Sequence, residues 1–146
     1  MADTTVQREV ERWIRKYWMP DHFKEDFETK KLKLSSGGDF KFDAVNKENT
    51  IVANISTSSA VTARGKRAIG KLHKIRADLY FLLLLQNVKR KLLIFTEKDM
   101  VQYWENEKLN GRMPQDIEIH HAVLTEDIQV KLNTAKKVAS DEVSNR

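Results

Sequence analysis

Apolar residues recur at helical spacing at Val6, Val10, Trp13, Ile14 and Tyr17 behind the capping candidates Thr4 and Thr5, and Pro20 closes the segment. The period then changes. Lys31-Leu32-Lys33-Leu34 alternates up to Ser35-Ser36-Gly37-Gly38. Phe40, Phe42 and Ala44 alternate with Lys41, Asp43 and Val45 before the turn Asn46-Lys47-Glu48-Asn49, and Thr50 to Ser56 completes a meander of three strands. After a Ser/Thr-rich loop, Ser56 to Ala63, helical period returns from Gly65 to Gln86. Placed at about 100° intervals, Ala68, Ile69, Leu72, Ile75, Leu79, Leu82 and Leu83 fall on one arc, and Lys66, Arg67, Lys71, Lys74 and Asp78 on the other. Lys91 to Thr96 reads as a strand, Lys98 to Leu109 as a helix ended by Asn110-Gly111, and Ile117 to Leu124 as a further strand. Thr125 opens a polar last helix, with residues 136–146 expected to fray.

The order is helix, three strands, helix, strand, helix, strand, helix. A meander followed by strand-helix crossovers implies a mixed sheet flanked by helices, an α/β fold (α+β under stricter naming), because each crossover lays its helix on a face of the sheet. With 146 residues the chain suits one domain, residues 1–146, around a single core. Without cysteine there are no disulfides and no thiolate metal sites. The start Met1-Ala2-Asp3-Thr4 lacks the basic and apolar segments of a secretory signal, so a cytoplasmic location is the default. The apolar run Leu79 to Leu85 falls short of the roughly 20 residues that cross a bilayer, so no membrane contact is expected. A net charge of +5, from 26 basic and 21 acidic residues, leaves room for a nucleic-acid partner. Lys30, Lys31 and Lys33 precede the hairpin, and Arg64, Lys66, Arg67, Lys71 and Lys74 follow it.

The element order, the hairpin Gly37-Gly38-Asp39-Phe40-Lys41-Phe42-Asp43 and the small-residue strand Val52-Ala53-Asn54-Ile55-Ser56 before an amphipathic helix resemble the PD-(D/E)XK superfamily, the restriction-endonuclease-like nucleases. Its core would occupy about residues 6–96. The resemblance implies an acid on the second strand, then an acid, any residue and a lysine on the third, which together bind Mg²⁺ and position the attacking water. Asp43 matches the first acid and would be the metal ligand, with Asp39, nearer the turn, as a substitute. Asn54 stands where the second acid belongs and Ser56 where the lysine belongs. An amide offers a carbonyl oxygen without charge, and a hydroxyl cannot place positive charge on the phosphorane. The implied function is therefore a nuclease-like domain binding nucleic acid, DNA rather than RNA, through Lys66, Arg67, Lys71 and Lys74. Hydrolysis is either lost or dependent on relocated residues, with Mg²⁺ needed only if it persists. The substitutes within sequence reach are Glu9, Glu11, Glu28, Lys66 and Lys71.

Plainer readings stand beside these. Asp43 also suits a solvated strand position, Asn54 and Ser56 share a face as residues two apart do, and a basic helix face is commonly just hydrated. On that footing the chain is a non-catalytic protein-interaction module, with a homodimer as one form. Arg76 falls within the apolar arc, its stem expected to pack and its head to reach water. His22, His73, His120 and His121 show no metal-ligand spacing. Trp13, Trp18 and Trp104 sit at core positions of helices. No glycine-rich phosphate loop follows a strand and no Gly-x-Ser-x-Gly elbow occurs, which removes nucleotide-hydrolysing and serine-hydrolase chemistry.

Overall fold

Five strands pair in chain order into one mixed sheet: β1 (Phe27–Lys33), β2 (Asp39–Asn46), β3 (Ile51–Ser56), β4 (Arg90–Phe95) and β5 (Ile117–His121). The first three form the antiparallel meander read from the alternation, while β3, β4 and β5 run parallel. The computed structural model describes residues 4–144, with side chains to residue 141. Met1 to Asp3, part of the start read for a signal, and Asn145 and Arg146 lie outside the described residues.

Helices cover both faces. On one side α3 (Ile69–Leu83) and α4 (Lys98–Leu109) pack Leu72, Ile75, Leu79, Leu82, Met100 and Trp104 against Phe42, Val52, Leu93 and Phe95. On the other, α1 (Thr5–Trp13) and α5 (Glu126–Ser144) bring Val10 and Leu132 against Ala44, Ala53, Ile55, Leu92 and Ile94. The central strands β3 and β4, covered on both faces, are accordingly apolar over most of their length, whereas the edge strand β5 carries Glu118, His120 and His121. Among the described residues no helix is long and apolar enough to cross a membrane.

Several expectations need correction. Pro20 does not close the first helix. A π-helical turn, Ile14–Trp18, follows α1, and Met19 N–H donates to Ile14 O five residues back, so the chain passes the proline's missing N–H and continues as α2 (Met19–Phe23). It ends at Lys24, left-handed at φ 61° with its N–H on Pro20 O. Gly65 to Ala68 is not helical either. Gly65 takes φ +78°, the Lys66 N–H is held by Thr62 Oγ1, and Val61 bridges Arg67, so the segment is a small hairpin and α3 starts at Ile69. Two residues of the expected apolar arc, Ile69 and Leu83, are exposed at 58% and 42%. The last helix, α5, runs from Glu126 to Ser144.

The strand alternation also breaks, and this matters most. On β1 the register advances two residues, Glu28 to Lys30, while on β2 it advances three, Val45 to Phe42. A β-bulge therefore sits at Asp43 and Ala44, and such bulges bend a strand and re-aim a side chain. Phe42 and Val45 face the α3 layer, whereas Ala44 faces α1 and α5.

Candidate active site and nucleic-acid cleft

The bulge turns the Asp43 carboxylate into the gap between β2 and β3. Its Oδ2 accepts the Ile55 N–H at 2.8 Å, taking the place of a backbone carbonyl. The carbonyl of Asp43, freed from the ladder, accepts Arg15 Nη1 at 3.2 Å and Thr29 Oγ1 at 3.3 Å. Asn54 Oδ1 accepts the Asp43 N–H at 3.4 Å, and Asn54 Nδ2 donates to the Asp78 carbonyl at 3.3 Å.

Helices bring further charge to the same place. Glu11 on α1 and Asp78 on α3 each lie close enough to Asp43 for its charge to act on them, and Asp78 Oδ2 stands 3.7 Å from Lys74 Nζ one turn earlier. Burial pushes the Glu11 carboxyl up to about 7, and the neighbouring Asp43 charge pushes the same way against Lys74 and Arg15. Burial likewise raises Asp78 to about 6, with Lys74 opposing and Asp43 adding to the rise. Asp43 is raised too, first by burial, while the Ile55 N–H, Lys74, Arg15 and Lys41 pull it back. Three acids from α1, β2 and α3 thus crowd around Lys74 and Arg15. Perturbed acids of this kind concentrate at functional sites.

The cluster borders a cleft of about 1740 Å³ at the carboxyl ends of β3 and β4, the end of a parallel sheet where ligands commonly bind. Glu11 and Ser56 form part of its wall. Its cations come from four segments: Arg8 on α1, Arg64, Lys66 and Arg67 on the small hairpin, Lys71 and Lys74 on α3, and Lys136 and Lys137 on α5. Against these eight stand three acids, Glu11, Glu97 and Asp141. Glu97 holds Lys136 at 3.1 Å, and the Arg67 guanidinium lies 5.8 Å above the Tyr103 ring. Arg64, Lys66, Lys71 and Lys137 make no described side-chain contact, so their charge is open to a ligand.

Of the residues singled out from sequence, the structure joins Asp43 to Asn54 directly. Ser56 stands apart, its Oγ accepting the Ser58 N–H at 3.2 Å at the cleft wall. Asn54, 3% exposed, is bonded at both ends of its amide. Lys66, Arg67, Lys71 and Lys74 all line the cleft. Among the proposed substitutes Glu11 joins the cluster. Glu9 pairs with Lys131 at 2.9 Å instead, and Glu28 is exposed on β1 opposite Val45. The lysine nearest the acids is Lys74 rather than Lys66 or Lys71. Arg76 is exposed, its guanidinium 5.2 Å over the Trp104 ring. His22 stacks on Trp18, His120 meets Glu118 at 3.1 Å, and His121 meets the Thr96 carbonyl. Asp78 and Arg15 were missed, yet each lies four residues from a member already named, Lys74 and Glu11, on the same helix face.

Among the described residues no group of three or more acids or histidines stands where it could hold a metal ion together. Magnesium asks for less, one or two carboxylates with waters and substrate phosphate. Glu11 and Asp43 are hard oxygen donors, and the charge of Asp43 opposes that of Glu11. Comparison of the chain with protein-family models, with curated proteins and with solved structures finds no match.

Proposed function

We propose that the protein is a restriction-endonuclease-like domain that binds nucleic acid in the basic cleft and acts on the phosphodiester through Asp43 and the relocated residues Glu11 and Lys74. The observation that carries this reading is the meeting of an acid from α1, a bulged acid from β2 and a lysine from α3 beside a cleft rich in cations. Glu11 and Asp43 would hold magnesium, which when bound supplies polarisation of a phosphoryl oxygen and a water of lowered pKa. Lys74, whose side chain is 71% exposed, puts positive charge where the phosphorane develops negative charge, the task Ser56 cannot perform. Arg64, Lys66, Lys71 and Lys137 hold the flanking phosphates. DNA is the expected substrate from the resemblance, in a cytoplasmic setting.

The test is cleavage of DNA with Mg²⁺ or Mn²⁺ by the parent, Asp43→Ala and Lys74→Ala. Metal-dependent cutting by the parent and loss in both variants supports the reading, and absence of cutting by the parent in every condition rejects its catalytic half. A second reading, a protein-interaction module or homodimer, draws on Ile69, Tyr80 and Leu83, exposed at 58%, 58% and 42% along α3. Salt separates the two: phosphate binding weakens steeply with ionic strength through counterion release, and an apolar interface does not.

A further inference from the structure

Neighbouring antiparallel strands exchange backbone hydrogen bonds, yet the ladder between β2 and β3 holds only Ala44↔Ala53 and Val45↔Val52. One residue further on, side chains take over. Asp43 Oδ2 receives the Ile55 N–H, Asn54 Oδ1 receives the Asp43 N–H, and Asn54 Nδ2 reaches across to the Asp78 carbonyl on α3. A single buried carboxamide thus touches β2 and α3 from β3.

We propose that Asn54 is a positioning residue, whose carboxamide spans the opening beside the bulge and fixes α3 so that Lys74 and Asp78 stand over Asp43. The inference rests on the acid cluster being the functional site. It departs from the view of Asn54 as a metal ligand that has lost its charge. The two ends of the amide do different work, and only the acceptor end survives replacement by aspartate. At the donor end a carboxylate oxygen would face the Asp78 carbonyl oxygen across 3.3 Å, two acceptors without a proton between them. That carboxylate would also be buried beside Glu11, Asp43 and Asp78, whose charges already oppose one another. An acid at this position therefore loosens α3 and disperses the site instead of completing it.

The experiment uses the full chain, with magnesium chloride alone as the probe. Isothermal titration compares the parent, Asn54→Asp and Asn54→Ser, each with and without Lys74→Gln. Lys74→Gln removes a cation facing the acids, so in the parent it strengthens magnesium binding several-fold. In the Asn54→Ser background, where α3 is no longer tied, the same change has less than half that effect. Asn54→Asp binds magnesium no more tightly than the parent. A tenfold gain in Asn54→Asp, or an equal effect of Lys74→Gln in both backgrounds, overturns the proposal, since a residue that merely supports the fold leaves the Lys74 contribution unchanged. If the parent takes up no magnesium, the catalytic reading fails separately. The cycle is then measured by urea unfolding, where the proposal requires the Asn54→Ser and Lys74→Gln effects on the unfolding constant to be non-additive by at least threefold, and additivity overturns it.

Discussion

Replacing Glu11 with glutamine isolates the electrostatic cost of the cluster. The carboxyl is raised from 4.5 to about 7, mainly by burial and next by Asp43. Its folded pKa thus lies above the unfolded one. The stabilising contribution is full below about 4.5, fades as the pH rises, and is gone above about 7. At about 1.4 kcal/mol per pH unit the rise corresponds to roughly 3 kcal/mol. Glu11 opens partly to the cleft, and screening by water brings the figure down to about 1–2 kcal/mol. Glutamine keeps the shape and carries no charge at any pH. Glu11→Gln should therefore match the parent near pH 4 and exceed its stability by about 1–2 kcal/mol at pH 8. Urea unfolding at half-unit pH steps, with EDTA present so that no divalent cation compensates the acids, measures the difference. A difference that stays flat with pH, or that favours the parent at pH 8, refutes the reasoning. The same variant is expected to lose metal-dependent cleavage, the pairing of gained stability with lost activity that marks a residue kept for function.

Asp78→Asn follows the same sign over a lower window. Its stability relative to the parent should rise between about pH 4 and pH 6, read by the same titration, because Asp78 is raised from 3.8 to about 6. Arg64→Ala with Lys66→Ala removes two cations that have no described side-chain contact, so the slope of log K against log salt for DNA binding should fall by about 2, at roughly 0.9 per phosphate contact. Far-UV circular dichroism should not change, because Ala68 N–H on Ala60 O and Ala60 N–H on Asp99 Oδ2 close the base of that hairpin. Leu82→Ala empties a fully buried position between α3 and the sheet and should cost about 2–5 kcal/mol by urea unfolding.

Much of the fold was legible because period and burial coincide. The alternation around Phe40 and Phe42 and the helical recurrence of Leu72, Ile75, Leu79 and Leu82 each report one buried face. What escaped was local and set by hydrogen bonds. Pro20 reads as a stop unless a π-turn has already shifted the ladder, and nothing in Ile14 to Trp18 announces one. Gly65 looks helical by its neighbours until the Thr62 hydroxyl captures the Lys66 amide. The bulge at Asp43 is silent, since Phe42, Ala44 and Val45 are all apolar enough for either face and the sequence shows no phase change. Asp43, Asn54, Glu11 and Lys74 were each legible, and their grouping with Asp78 and Arg15 was not, for a related reason. Asp43 and Asn54 lie on the strands where a strand motif is sought, whereas Glu11, Lys74 and Asp78 arrive from helices separated from them by dozens of residues or by the sheet itself.

The arrangement around Asp43 also bears on whether the site is a relic. A junction kept only for stability has no need of three carboxylates with raised pKa values, a bulge and a ladder cut to two residue pairs. Each of these costs stability, and an apolar residue at position 43 would remove the charge at least. Instead, Arg15 and Thr29 satisfy the carbonyl that the bulge frees, and Asn54 ties the opened strands to α3. Under the proposed function, relocation of the chemistry to Glu11 and Lys74 would account for this specific support around an unfavourable charge cluster.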